Sequence, residues 1–412
     1  MPILFHPALL LLNTSGPAKV PLSMLVIFVS AKVLAEVFER LGQPGIVGEI
    51  LAGVLIGPSV LGWLAPSELL TAMGDLGAMF LLFRVGLEVR SSELMKVGGT
   101  ATVVAASGVV MPFLMGSVIM LLWHASVNEA IFVGASMVAT SVGITARVLA
   151  GKGLLHLKSS QIILAAAVID DVMGLLVLAA VSSITRGKVH WLDLVLTAVL
   201  ATAFTVIVGR WGTSTVGKVI PHVERRLKVG EAHFVFSMCL LFALALLAVY
   251  TGVAAIVGAF LAGMALGESA PRRVHDLAQG VSELLVPFFL AGIGLKVSLT
   301  ALSSESTALL ALLILAAAIV SKFIGCGSGA LVLGGKEAMR IGMGMVPRGE
   351  VGMVVAQLGL GMGMMSESVY GIVVFMSVAT TIVAPFLLSF AYRGVTVAVP
   401  SEEQQEEVAQ LG

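Results

Sequence analysis

Charge is what this chain has least of. Asp, Glu, Lys and Arg together make 12% of its 412 residues, where a soluble domain carries about 25%, and that deficit excludes an ordinary water-solvated globule. Cysteine is nearly absent. Cys239 and Cys326 both fall inside apolar runs, which makes them packing residues rather than a disulfide or a metal pair. The seven histidines are scattered without metal-ligand spacing. No basic segment precedes the first apolar run, "MPILFHPALLLLNTSGPAK", so a cleaved signal peptide is not expected. Net charge is zero, which gives no electrostatic reason to bind nucleic acid. The short alternating segments of a membrane β-barrel are missing as well.

What is present is a chain that is 58% hydrophobic, with mean hydropathy +1.05, arranged in runs of about 20 residues, the length that crosses a bilayer as a helix. The expectation is an all-α polytopic membrane protein with thirteen spans, near 21–38, 45–62, 69–89, 99–122, 128–149, 160–183, 192–214, 232–249, 252–267, 278–296, 306–332, 338–360 and 367–391. Basic residues set its orientation. With the N-terminus outside, sixteen of the 24 fall in inside segments, against four outside (Lys19, Arg186, Lys188 and Lys296) and four within spans (Lys32, Arg84, Lys322 and Arg348). The positive-inside rule therefore predicts an external N-terminus and a cytoplasmic C-terminus. The final residues, "SEEQQEEVAQLG", read as a short solvated acidic tail, with no soluble domain expected after the membrane part.

The chain also resembles itself. "IVGEILAGVLIG" (46–57) matches "IVGAFLAGMALG" (256–267) at seven of twelve positions, and "FLLFRVGLEV" (80–89) matches "FFLAGIGLKV" (288–297) at five of ten. Both offsets are close to 210 residues. Seven spans separate the partners, and an odd separation makes them cross in opposite directions. This is the pattern of an inverted repeat, a signature of secondary transporters. Spans 1–6 would mirror spans 8–13, with span 7 as linker. The same offset pairs "ATSVGITAR" (139–147) with "PRGEVGMVV" (347–355). Each places polar residues and glycine in mid-span, and Pro347 removes a backbone donor. Two broken helices crossing near a midplane site are expected, since unwound backbone at that depth must be buried in protein or line a cavity.

Within "ILAAAVIDDVMGLLVLAAV" (163–181), two acids stand side by side where each costs about 2.5–3.5 kcal/mol to insert. A proton, a basic side chain or a bound cation must neutralise them. Neighbours on a helix point about 100° apart, so Asp170 and Asp171 face different partners. Lys322, deep in span 11, is the basic candidate. Its pairing with one aspartate leaves the other for a proton or a small cation, with hydroxyls and carbonyls near Thr140 and Ser141 to complete an oxygen shell. Glu350 either pairs locally with Arg348 or supports the site. Lys32 and Glu36, spaced i,i+4, are expected to satisfy each other. Gly53, Gly57, Gly263 and Gly267 are expected to permit close helix packing. "GCGSGA" (325–330) lacks the preceding strand of a dinucleotide fingerprint.

"GEILAGVLIGPSVLG" (48–62), "DDVMGLLVLA" (170–179), the "SK" of span 11 (321–322) and "VPRGEVGMVV" (346–355) resemble the monovalent cation:proton antiporter-2 family, in its Na+/H+ antiporter branch, over nearly the whole chain. The resemblance implies a homodimer in the bilayer, in a bacterial inner membrane. A dimer domain would combine 1–97 with 231–304, and a core ion-transport domain 98–185 with 305–393. A linker helix and loop would occupy 186–230, and the tail 394–412. The core is expected to move like an elevator. Asp171 would bind ion and proton, and Asp170 would pair with Lys322, a possible proton carrier. Thr140, Ser141, Glu350 and Arg348 would support the crossed helices. Potassium-exchanging relatives often carry Gln-Asp in place of Asp-Asp and append a nucleotide-binding domain, and neither feature is found in this chain.

The reading is a non-enzymatic antiporter exchanging Na+ or Li+ for H+ by alternating access, electrogenically and without a cofactor, its ion held by Asp171 and Asp170. The alternative is K+/H+ exchange. An intramembrane aspartyl protease is more remote, because its two acids must face one another and share a proton.

Overall fold

The computed structural model describes residues 18–185, 191–226, 231–267, 269–297 and 304–395, and among them the regular elements are helices. The first half contains α1 (Lys19–Arg40), α2 (Gly45–Ile56), α3 (Glu68–Glu88), the short α4 (Ser91–Lys96), α5 (Gly98–Leu122), α6 (Val127–Ser136), α7 (Val142–Gly151) and α8 (Lys158–Thr185). A long helix, α9 (Trp191–Arg226), leads to the second half. There follow α10 (Ala232–Tyr250), α11 (Ala255–Leu266), α12 (Arg272–Leu295), α13 (Glu305–Gly329), α14 (Gly335–Gly344), α15 (Glu350–Gly361) and α16 (Glu367–Ala391). Among the described residues nine helices contain a stretch long and apolar enough to cross a membrane. The shorter apolar helices come in pairs, Gly45–Ile56 with Ala255–Leu266 and Val142–Gly151 with Val351–Gly361.

Local chemistry sets where several of these helices begin. Ser67, Ser126, Ser304 and Ser366 each cap a helix by accepting from the N–H three residues on, which satisfies one of its orphan donors. On α1 the small and aliphatic residues Ser23, Ile27, Ala31 and Ala35 are buried. Leu25, Val29, Val33 and Val37, at the same spacing of four, are exposed. A helix apolar all round with its larger side chains outward is packed on protein along one stripe and faces hydrocarbon along the rest.

The helices pack in two groups. In one, α1, α2 and α3 interleave with α10, α11 and α12; in the other, α5 to α8 interleave with α13 to α16. Contacts from α3 to α7 and α2 to α16 join the two, and α9 packs on α8 of one group and α11 of the other. Glycine sets the close approaches in the first group. A Cβ on Gly53 would collide with the carbonyl of Ala291, and one on Gly263 with that of Phe83. Gly86 meets Phe260 and Gly294 meets Ile50 in the same way. These contacts are equivalent under a shift of 208–210 residues, as are Gly48 on Leu34 and Gly258 on Leu244, and Gly134 on Phe113 and Gly342 on Phe323.

Gly53→Val is therefore expected to prevent the α2–α12 approach and cost the folded protein in detergent. Gly280→Ala, whose added Cβ meets nothing within 4 Å, should be neutral or stabilise by up to about 1 kcal/mol through helix propensity. Thermal unfolding of the two variants tests this. A Gly53→Val protein as stable as Gly280→Ala would show that the helices can part there.

The expected Lys32–Glu36 pair is not formed. Lys32 Nζ lies 3.0 Å from Glu49 Oε1 on α2, and Glu36 instead holds Arg40 at 2.7 Å. The Glu49 carboxylate is 1% exposed, and a buried charge gains more from a cation than an exposed one does.

Candidate functional site

Two helices break at the same place. The chain leaves α6 at Ser136 and resumes as α7 at Val142; it leaves α14 at Gly344 and resumes as α15 at Glu350. The breaks satisfy each other. Ser141 donates its N–H to the Pro347 carbonyl at 2.8 Å. Thr140 Oγ1 donates to Met345 O at 3.4 Å, and Thr145 Oγ1 to Gly344 O at 2.7 Å. Backbone groups that no helix pairs are thus bonded across the crossing rather than left bare in hydrocarbon.

The two aspartates of α8 meet different surroundings. Asp170 is fully buried. Its Oδ1 lies 2.9 Å from Lys322 Nζ and its Oδ2 accepts the Thr140 N–H at 2.8 Å. Asp171, 4% exposed, lines a cavity of about 240 Å3 with Val249, Gly252, Val253, Ala254 and Val351. Toward the N-terminus of α8, Val168 and Leu164 follow Asp171 at one and two turns. They close with Leu82, Val142, Val257 and Phe260 around about 10 Å3 of space. An apolar seal therefore separates the Asp171 cavity from the N-terminal end of α8.

Lys322, also fully buried, uses its ammonium completely. Besides Asp170 it donates to Val138 O at 2.7 Å and to Gly108 O at 2.9 Å. Pro112 stands four residues after Gly108 inside α5, and having no N–H it cannot bond that carbonyl, which the lysine takes instead. Arg348 is buried beside it. Its Nη1 donates to the same Val138 O at 3.0 Å and its Nη2 to Ala318 O at 3.0 Å. Its backbone is held by Thr380 and Thr381 of α16. Two cations thus sit on the C-terminal carbonyl end of the half-helix α6, where the dipole is negative. The acid Asp170 takes an N–H just ahead of α7, where the dipole is positive.

Of the residues singled out in the sequence, Asp170, Lys322, Thr140, Ser141 and Arg348 converge on the crossing, and Asp171 faces the adjacent cavity. The Glu350 side chain lies outside the described residues. Gly108, Pro112 and Val138 act through backbone, which residue type signals weakly; a proline four residues after a glycine inside a span was the available clue. Cys326 packs against Gly108 near Lys322, while Cys239 on α10 is exposed.

Residues 25–394 match the family described as sodium/hydrogen exchanger, transmembrane. The chain belongs to this family. It is an integral membrane transporter and not an enzyme. The exchanger is 33% identical over 425 residues to the high-affinity Na+/H+ antiporter NhaS3 of Synechocystis, covering 92% of this chain and 90% of that one. It is 32% identical over 378 residues to the Na+/H+-K+ antiporter GerN of Bacillus cereus, covering 89% and 95%. Its fold is that of the sodium proton antiporter MjNhaP1 of Methanocaldococcus jannaschii at pH 8. The TM-score is 0.65 at 18% identity, over 90% of this exchanger and 96% of that chain.

Proposed function

We propose that this exchanger moves Na+ or Li+ against H+ by alternating access, with Asp171 as the carboxylate that holds proton and cation in turn. The observation that carries this is the unlike setting of two adjacent acids. Asp170 is tied to Lys322 and Thr140, while Asp171 lines a cavity backed by an apolar seal. The names of NhaS3 and GerN support Na+ and H+ as the exchanged ions, and that of GerN keeps K+ as a second reading.

On this reading the group α1–α3 with α10–α12 is the scaffold, through which two copies would form a homodimer, and α5–α8 with α13–α16 is the moving core. The equivalent glycine contacts 208–210 residues apart support an inverted repeat, and alternating access follows when its halves exchange roles. The external N-terminus and a bacterial inner membrane belong to the same reading.

Exchange is proposed to be electrogenic. When Na+ arrives, Asp170 engages the ion and releases Lys322, which gives up one proton; Asp171 gives up another. Two protons then cross for each sodium, and the potential contributes about 2.3 kcal/mol per charge per 100 mV. The test is transport by purified protein in liposomes, comparing Na+, Li+ and K+ across pH under imposed potentials. Na+ and Li+ are expected to dissipate a proton gradient at a rate that follows the sign of the voltage. Response to K+ alone would select the second reading. A flux indifferent to voltage would mean one-for-one exchange and a structural Lys322.

A further inference from the structure

A second set of charges lies at the junction of the two helix groups, away from the crossing. Glu49 of α2 is buried, with Oε1 at 3.0 Å from Lys32 Nζ of α1 and Oε2 at 3.2 Å from Arg147 Nη2 of α7. The first contact stays within one group. The second joins the groups, and Arg147 is carried on the half-helix that follows the Thr140–Ser141 break. Around it opens a cavity of about 500 Å3 lined by four carboxylates and four cations, Glu283 and Arg84 among them. A lining of balanced charge does not concentrate cations. The balance suits charges engaged with one another, not a funnel for the transported ion. The cavity lies beyond the apolar seal from Asp171, since its Lys152 immediately precedes the loop into α8.

The repeat offset gives the Lys32–Glu49–Arg147 set no charged counterpart. Another cavity, of about 50 Å3, lies between α3, α12 and α15. Its Gly74 and Asp75 stand 208 positions before Ser282 and Glu283 of the charged cavity. Its Gly292 and Ile293 stand 208 positions after Arg84 and Val85. The two cavities are therefore matching mouths between the helix groups. At the positions matching Lys32, Glu49 and Arg147, however, the second half carries Phe242, Ala259 and Val355. Ala259 and Val355 are buried. One mouth holds a charged bridge between the groups; the charges lining the other, Asp75 on α3 and Lys296 at the end of α12, both belong to one group.

We infer that Glu49 and Arg147 form a one-sided clasp that favours the state in which Asp171 faces its own cavity. The inference rests on the alternating-access reading. When the core slides so that Asp171 communicates past Leu164 with the opposite mouth, α7 shifts along α2 and Arg147 leaves Glu49. At the other mouth Asp75 and Lys296 lie on the same group, so among the described residues no comparable bridge there opposes the return. The two states are then unequal at rest, and the ion pair sets part of the difference.

The test uses the full chain in vesicles with Cys239→Ser and a reporter, Leu164→Cys, in the seal. A membrane-impermeant maleimide is applied to each face in turn. Labelling of the reporter from the Glu49 side is expected to be slow with the pair intact and about fivefold faster in Arg147→Gln or Glu49→Gln, the shift that about 1 kcal/mol gives a two-state equilibrium. The charge reversal Glu49→Arg with Arg147→Glu should restore slow labelling. Equal labelling in all variants would overturn the clasp. So would loss of the folded protein in both single variants, because the pair would then hold the fold and not a state. Sodium-driven proton flux, measured on the same vesicles before the reporter is added, distinguishes failure of the clasp from failure of the exchange reading.

Discussion

Asp171→Asn is expected to reduce sodium-driven proton movement to the background of empty liposomes while leaving a folded protein. The substitution keeps shape and removes only the charge, so the cavity with Val249, Val253 and Val351 stays the same size. An ionised acid at mid-membrane costs about 2.5–3.5 kcal/mol on insertion scales, and its removal should leave thermal stability equal or higher. Ligand linkage gives a second readout. Na+ that binds only the folded state raises the unfolding temperature of the native protein, and that increment should vanish in the variant. Normal exchange by Asp171→Asn would move the transport role elsewhere in the crossing.

Lys322→Ala is expected to be the most destabilising single change at the site, by about 3–5 kcal/mol, the usual loss when a buried ion pair is left with one member. Three acceptors lose their donor together: Asp170, Gly108 O and Val138 O. Arg348 still serves Val138 O and Thr140 still serves Asp170, so Gly108 O is left most exposed. The double variant Lys322→Ala with Asp170→Asn removes the stranded charge and should recover part of the loss. Recovery should be incomplete, because no donor reaches Gly108 O. Thermal unfolding of the two singles and the double closes the cycle. Additive losses would mean that the charges of Asp170 and Lys322 contribute nothing to one another.

The membrane helices were readable because lipid imposes a crude rule on composition, and the two breaks because Gly, Pro347 and hydroxyl residues violate that rule in mid-span. Asp170 and Lys322 stood out for the same reason. What the sequence hid are contacts with backbone atoms. Arg348 was expected to pair with Glu350 or support the site, and its guanidinium donates to Val138 and Ala318 carbonyls, which any residue type supplies. Thr140 was singled out for its hydroxyl, yet its amide N–H binds Asp170. The i,i+4 spacing of Lys32 and Glu36 describes neighbours on one helix, whereas Glu49 reaches Lys32 from the next. Helix ends were also obscured: α2 stops at Ile56, short of the expected 62, because Gly57, Pro58 and Gly62 carry the chain out of the helix.

The crossing of α6–α7 with α14–α15 bears on how the protein is made. Lys322 follows Asp170 by 152 positions, so at roughly 5–20 residues per second synthesis keeps them apart for roughly 8–30 s. Ser141 waits still longer for the Pro347 carbonyl. Throughout that interval the first half has already presented its acids to the bilayer. Asp170 must remain protonated or in contact with water until the second half arrives, since an ionised carboxylate without its lysine has no place in hydrocarbon. The site thus closes only after most of the chain has been made, and a nascent chain that stalls before residue 322 holds Asp170 without its lysine.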